Sequence, residues 1–221
     1  MQEQPDFFVT ESYEYFRRNY GSTDLGSLPM IHFLEDLLAA TSIDVDGGAI
    51  LELGCGAANN LNHLVRRLGA GRGVGTEPSP DTIAILTHAY PELEFVETFA
   101  HRLPFASGEF DLVLFRSVLL WVHPDYLLQS IGEALRVSSR YLIINDFTPE
   151  GESYSAKYRD HPRFRTYKRS YMPILEASGF VETRRVLIHD ADSGWTRTET
   201  VLYEKVLLDD AFPLRSSHDF K

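Results

Sequence analysis

Glu52, Gly54 and Gly56 make the pattern Glu-x-Gly-x-Gly within Ile50-Leu51-Glu52-Leu53-Gly54-Cys55-Gly56-Ala57-Ala58-Asn59. Two glycines one residue apart supply positive φ and leave bare backbone that a ligand can approach. Leu61, Leu64, Val65 and Leu68 follow at helical spacing, so the stretch reads as buried strand, tight turn, helix. The first turn of that helix offers unpaired N–H groups. Such groups suit the grip on a polar ligand. Cys55, in the turn, is read as small filler rather than as a nucleophile. A purely structural turn without ligand is the plain alternative.

A dinucleotide site asks for Gly-x-Gly-x-x-Gly, and Asn59 stands where the third glycine belongs. Glu52-Leu53-Gly54-Cys55-Gly56 instead resembles motif I of the class I, Rossmann-like, S-adenosylmethionine (SAM)-dependent methyltransferases, of the type 11/25 kind. Gly75-Thr76-Glu77-Pro78-Ser79 resembles the family's ribose motif, Leu103-Pro104-Phe105 closes a segment like its adenine loop, and Glu109-Phe110-Asp111-Leu112-Val113-Leu114-Phe115 resembles its fourth strand. The likeness covers residues 45 to 146. It implies SAM as cofactor and S-adenosyl-L-homocysteine (SAH) as product. Contacts to it are then expected from Glu52, Gly54, Cys55, Gly56 and Asn60 around the turn. Glu77 would accept both ribose hydroxyls, beside Pro78. Phe99, Ala100 and His101 stand where the family keeps its adenine contacts, but the usual acid is missing there. Phe115 and Arg116 would border the methionine end; Arg116 pairs with the SAM carboxylate, with an anionic substrate, or with a neighbouring acid. Asp111 comes too early in its strand to reach a ligand.

Candidates on the acceptor side are less defined. His123, Asp146 and His161 are the candidate general bases; methyl transfer needs one only where the nucleophile is protonated. Asp146 ends a strand, the place where open α/β sheets bind ligands. Tyr13, Tyr20 and Trp121 are candidate substrate contacts. Lys157, Arg159, Arg163, Arg165, Lys168 and Arg169 crowd together with Tyr154, Tyr158, His161 and Tyr167 interleaved. This segment is either a solvated face or a recognition surface for an anionic or sugar-like acceptor, with Tyr158, Arg163, Tyr167 and Lys168 as the contacts. No histidine or cysteine pair has metal-ligand spacing, and no metal is expected.

The positioning elements follow from periodicity. A helix is expected over Thr10 to Tyr20, capped by Thr10 or Ser12, and an amphipathic one over Met30 to Ala40. Strands are expected at Ala49, Gly73 to Glu77, Leu93 to Thr98, Glu109 to Phe115 and Tyr141 to Asn145. Helices alternate with them after Gly56, from Ser79-Pro80 to Pro91, and over Pro124 to Val137. That rhythm means a parallel sheet. Tyr167 to Ser178 reads as a helix closed by Gly179, and Val181 to His189 with Thr198 to Leu207 as an antiparallel hairpin. The expected fold is α/β: a seven-stranded, mostly parallel Rossmann-like sheet with that hairpin, helices on both faces and an N-terminal helical lid. The divisions are 1–45 for the extension or lid, 46–208 for the SAM-binding domain and 209–221 for a tail.

The chain has 221 residues and a net charge of −11, which disfavours nucleic acid as a partner, since phosphate binding runs on Lys and Arg. No apolar run is long enough for a membrane helix, and the single cysteine fits a reducing cytoplasm. A monomer or homodimer acting on a small-molecule substrate is expected. The leading reading is O- or N-methylation of a small molecule. The alternatives are an adenosine-cofactor binding protein without catalysis and an NAD-dependent oxidoreductase.

Overall fold

The computed structural model describes residues 3–149, 151–158, 164–188 and 198–206. His161, Arg163, Arg159, the hairpin connection and the tail 209–221 lie outside the described residues. The parallel strands are β1 (Ala49–Leu53), β2 (Arg72–Glu77), β3 (Glu94–Glu97), β4 (Phe110–Arg116) and β5 (Ser138–Phe147). They are joined by α3 (Asn59–Leu68), α4 (Pro80–Ala89) and α5 (Pro124–Val137). Strands β8 (Phe180–Ile188) and β9 (Thr198–Lys205) complete the sheet, antiparallel, in the order β3-β2-β1-β4-β5-β9-β8. The strand order reverses between β1 and β4, with Leu53 beside Phe115 in register. A crevice opens at such a reversal, beyond the carboxyl ends of the strands.

Side-chain alternation covers both faces. Ile50, Leu112, Leu114 and Ile143 pack with Leu34 and Leu37 of α2 (His32–Ala39), Leu61 and Leu64 of α3 and Leu86 of α4. Leu51, Leu53, Val113 and Phe115 turn the other way, onto Ile131 and Ala134 of α5 and Leu175 of α6 (Met172–Glu176). Ser79 caps α4 by accepting from the Thr82 amide at 3.3 Å, with Pro80 in the first turn, as its sequence signature suggests. Asp111 accepts from the Ala49 amide at 2.8 Å and from Ser139 Oγ at 3.3 Å, pinning the entries of β1 and β5 to β4.

Two expectations are corrected. The N-terminal helix α1 runs over Glu3–Tyr20, starting a full turn and more before Thr10. Pro5 falls in its first turn, where proline costs nothing, so Ser12 is mid-helix and its hydroxyl is free for another partner. The expected helix over Tyr167 to Ser178 shrinks to α6. Arg165–Lys168 is strand β7, paired antiparallel with β6 (Tyr154–Lys157). Pro173 stands in the first turn of α6 and would break any helix begun at Tyr167. Thr166 and Lys168 are buried while Arg165 is exposed, the period of two that marks a strand.

No helix among the described residues is long and apolar enough to cross a membrane. No group of His, Cys, Asp and Glu side chains among them could hold a metal ion.

Candidate active site

The turn after β1 is held from below by β2. Gly54 N–H donates to Thr76 Oγ1 at 3.3 Å, Cys55 N–H to Thr76 O at 2.9 Å and Gly56 N–H to Glu77 Oε1 at 2.6 Å. Gly54 (φ 65°), Gly56 (φ 56°) and Ala58 (φ 56°) take left-handed conformations. A Cβ on Gly54 would meet Val118 Cγ2 at 2.6 Å, whereas one on Gly56 would meet nothing within 4 Å. Gly54 is thus demanded by packing as well as by backbone, Gly56 by backbone and by the open space in front of it.

Ala58 stands at the N-cap of α3 without a capping side chain. Glu52, from the strand, takes over: its Oε2 accepts from the Leu61 amide at 3.0 Å, in the first turn of the helix. Burial pushes the Glu52 carboxyl up to about 8, against the pull of Arg116 and of the Leu61 amide. Asn60 is buried beside it and accepts from the Ile31 amide at 3.2 Å. Cys55 is buried, and burial together with Glu77 and Glu52 holds its thiol protonated. A protonated, enclosed thiol is inert.

Above this turn lies a cavity of about 810 Å³, near the top of the roughly 300–1,000 Å³ that small-molecule sites span. One half is floored by the glycine turn. Glu77 closes it on one side and Phe99, Ala100 and His101 on another. His101 stacks on Tyr126 at 4.6 Å and on Phe99 at 5.5 Å. Burial and the nearby Arg102 lower its pKa, so the ring is neutral near pH 7. Arg116, at the end of β4, faces the same space; its buried Nε has no hydrogen-bond partner. The other half is aromatic. Trp121 meets Tyr158 edge-on at 4.7 Å and stacks with Phe164 at 6.1 Å, and Phe8 of α1 meets Phe164 at 5.0 Å. Arg169 secures the turn Leu119–Trp121 by donating to Leu119 O and Val122 O, each at 2.7 Å.

Helix α1 roofs both halves with Ser12, Tyr15, Phe16 and Tyr20. Ser12 Oγ donates to Glu77 Oε2 at 2.6 Å, and Tyr158 OH donates to Glu11 Oε1 at 2.7 Å.

Glu52, Gly54, Cys55, Gly56, Asn60, Glu77, Pro78, Phe99, Ala100, His101 and Arg116 all border the cavity, and so do Tyr20, Trp121, His123, Tyr158 and Lys168. Four expected residues do not. Phe115 is fully buried against α5, because its neighbour Arg116 takes the outward turn of the strand. Asp146 is 2% exposed, with both oxygens engaged: Oδ2 accepts from the Leu120 amide at 2.9 Å and Oδ1 from the Phe147 amide at 2.8 Å. Tyr13 turns away, toward Arg17. Tyr167 alternates with Lys168 and lies against Arg169 and His123. His123 borders the cavity but caps α5, its Nδ1 accepting from the Asp125 amide at 3.3 Å. The same Nδ1 lies 3.4 Å from Asp125 Oδ2, so this nitrogen is engaged at the start of α5 rather than in the cavity. Ser12, Tyr126 and Phe147 border the cavity without having been singled out. Tyr126 follows Pro124 in the first turn of a recognisable helix; Ser12 carried no signal of its own.

Residues 50–140 match the family model described as "Methyltransferase domain". This segment is a methyltransferase domain. Its glycine turn, the strand-end acid Glu77 and its fourth strand all lie in the matched span, and its kind is the class I, type 11/25 one that the motifs resemble. A fatty-acid O-methyltransferase of Mycolicibacterium smegmatis is 32% identical over 113 residues, 50% of this chain and 41% of the relative. A trans-aconitate 2-methyltransferase of Azoarcus is 31% identical over 91 residues, 41% of this chain and 35% of the relative. The chain spans less than half the length of the curated relatives it matches. Among solved structures, the 1,6-didemethyltoxoflavin-N1-methyltransferase of Burkholderia thailandensis, with its substrate and SAH bound, shares the fold. Its TM-score is 0.69 at 16% identity, over 92% of this chain and 87% of that one. The magnesium protoporphyrin IX methyltransferase of Synechocystis, with SAH bound, has a TM-score of 0.65 at 17% identity, over 91% and 98%.

Proposed function

We propose that this chain transfers the methyl group of SAM to an oxygen or nitrogen of a small-molecule acceptor. The observation that carries the reading is the Gly56–Glu77 clamp at the strand-order reversal, on the floor of a cavity with room for two ligands side by side. Glu77 accepts the ribose hydroxyls. Ala100, Phe99 and His101 receive the adenine, and the bare backbone from Gly54 to Gly56 lies under the amino-acid part. Arg116, near Glu52 and without a hydrogen-bond partner at Nε, pairs with the amino-acid carboxylate. The aromatic half then holds the acceptor, and α1 serves as the lid over both. SAM brings a methyl group on a good leaving group, so the protein's task is alignment of nucleophile, methyl carbon and sulfur.

Asp146 does not border the cavity, and His123 is engaged through Nδ1 at the start of α5. Two relatives act, by name, on a fatty acid and on trans-aconitate, which favours an anionic acceptor over a sugar-like one.

Isothermal titration with SAM, SAH and NAD tests the cofactor. SAM and SAH are expected to bind and NAD to give no heat. Binding of NAD in preference would support an oxidoreductase. Binding of SAH with no methyl transfer to any acceptor would leave a cofactor-binding protein.

A further inference from the structure

We propose that Lys168 anchors a carboxylate of the acceptor, and that the acceptor is a hydrophobic monocarboxylic acid seated by its acid end. The inference rests on the methyl-transfer reading of the cavity and names the substrate class for its aromatic half.

The placement of Lys168 comes first. It lies on β7, whose pleat turns Thr166 and Lys168 inward, onto the cavity, and leaves Arg165 outside. Lys168 is only 8% exposed. Its ammonium makes no hydrogen bond or ion pair with any described residue; its near neighbour is the face of the Phe147 ring, 4.3 Å from Nζ. The acid that acts on it from a distance, Asp146, is already bound through both oxygens to backbone amides. Burial raises the Asp146 carboxyl, against the pull of its two amide bonds and of Lys168 and Arg169, and burial in turn lowers the Lys168 ammonium. A largely buried ammonium with no hydrogen bond among the described residues, and with Asp146 acting on it only from a distance, is costly. A charge run serving only as a solvated face would leave this side chain outside, as it leaves Arg165. The arrangement is that of a site awaiting an anion.

The surroundings decide which anion. Trp121, Tyr158, Phe147 and Leu120 wall this half, which suits an apolar body. Lys157, the other cation here, is exposed, and Arg116 belongs to the cofactor half. One buried ammonium matches one negative charge. A phosphate dianion draws on an arginine fork or several buried cations; among the described residues the arginine that borders the cavity is Arg116, in the other half, and Lys157 is exposed.

The test uses the whole chain loaded with SAH. Straight-chain, phenylalkanoic and indolylalkanoic acids are titrated beside their primary amides, which keep the shape and lose the charge. At least one acid should bind roughly tenfold or more tighter than its amide, the worth of a charge-assisted hydrogen bond. Lys168→Met should abolish that preference and leave SAH affinity unchanged. It should also raise the melting temperature, because an unpaired buried charge has been removed; a lysine with a purely structural role would give a lower one. Lys168→Arg should keep part of the preference. Acids and amides bound alike, no acid bound at all, or a Lys168→Met protein that melts lower and still prefers acids would each overturn the proposal. Failure of SAH itself to bind would overturn the cofactor reading instead, and that titration is run first.

Discussion

The two halves of the cavity are built by opposite means. The half proposed for the cofactor is assembled from strand ends and one turn: Glu52, Gly54, Gly56, Glu77 and Arg116 sit on three adjacent strands or the turn that follows one, fixed by the register of the sheet. The acceptor half is assembled from side chains of α1, the Leu119–Trp121 turn and the β6–β7 ribbon, which meet through rings rather than ladders. The first is rigid by backbone hydrogen bonding, and few residue types satisfy it. The second depends on packing of large side chains, and its chemistry can change without disturbing the sheet.

Substitutions should divide along that line. On the proposed placement of the ribose, Glu77→Ala removes two hydrogen bonds to a charged acceptor, a loss of about 2–4 kcal/mol, or roughly 30- to 700-fold in SAH affinity by calorimetry. The acceptor's affinity for the loaded enzyme should hardly move. Gly56→Val comes next. It forces a left-handed backbone on a β-branched residue, about 1–2 kcal/mol of strain, and pushes carbon into open ligand space, so SAH binding should vanish while the folded circular dichroism spectrum survives. Gly54→Val should lower the melting temperature more than Gly56→Val does, because its Cβ collides with Val118 as well. Trp121→Ala should act on the opposite side: the acceptor's KM rises on the order of tenfold, with SAH affinity within experimental scatter of wild type.

That the residues proposed for the cofactor share one half of the cavity was legible because their signal is local. Glu-x-Gly-x-Gly, a strand-end Glu77 and a Phe-Asp strand each need only a few consecutive residues, and a parallel sheet converts that spacing into position. Ser79-Pro80 gave the start of α4 for the same reason. The acceptor half resisted. Ser12 reaches Glu77 across 65 residues, and nothing near it in the chain announces that partner. Asp146 ends a strand as a ligand-binding acid would, yet two backbone amides claim it. Lys168 and Tyr167 look alike in a basic, aromatic run; only the pairing of β7 with β6 separates the one that faces in. The helix expected there failed because apolar spacing outweighed the veto of Pro173.

Acidity sharpens the contrast further. The carboxyl of Glu52 rises from about 4.5 unfolded to about 8 folded, driven by burial. The folded state therefore holds more protons than the unfolded state between those values, and stability falls as pH climbs through that window. Melting temperatures of the ligand-free protein should decline from pH 5 toward pH 8 on this account. Glu52→Gln, which can still accept from the Leu61 amide, should flatten the slope. The smallest effect is expected from Ser12→Ala. Ser12 occupies the Glu77 oxygen that the proposed ribose placement needs. Its removal should tighten SAH binding a few-fold, about 0.5–1.5 kcal/mol; weaker binding would mean that Ser12 itself reaches the ribose.

The roof helix also has a history in time. Its anchoring residues Glu11 and Ser12 find their partners 147 and 65 positions later in the chain, at Tyr158 and Glu77. Contacts that distant form late, since a long loop must close before they repay its entropy. The segment of α1 therefore leaves the ribosome before β1 and docks only after the β6–β7 ribbon exists. In refolding, the sheet should regain its amide protection before α1 does, and pulse-labelled hydrogen exchange would show the helix amides from Glu11 to Tyr20 as the slow, separate class.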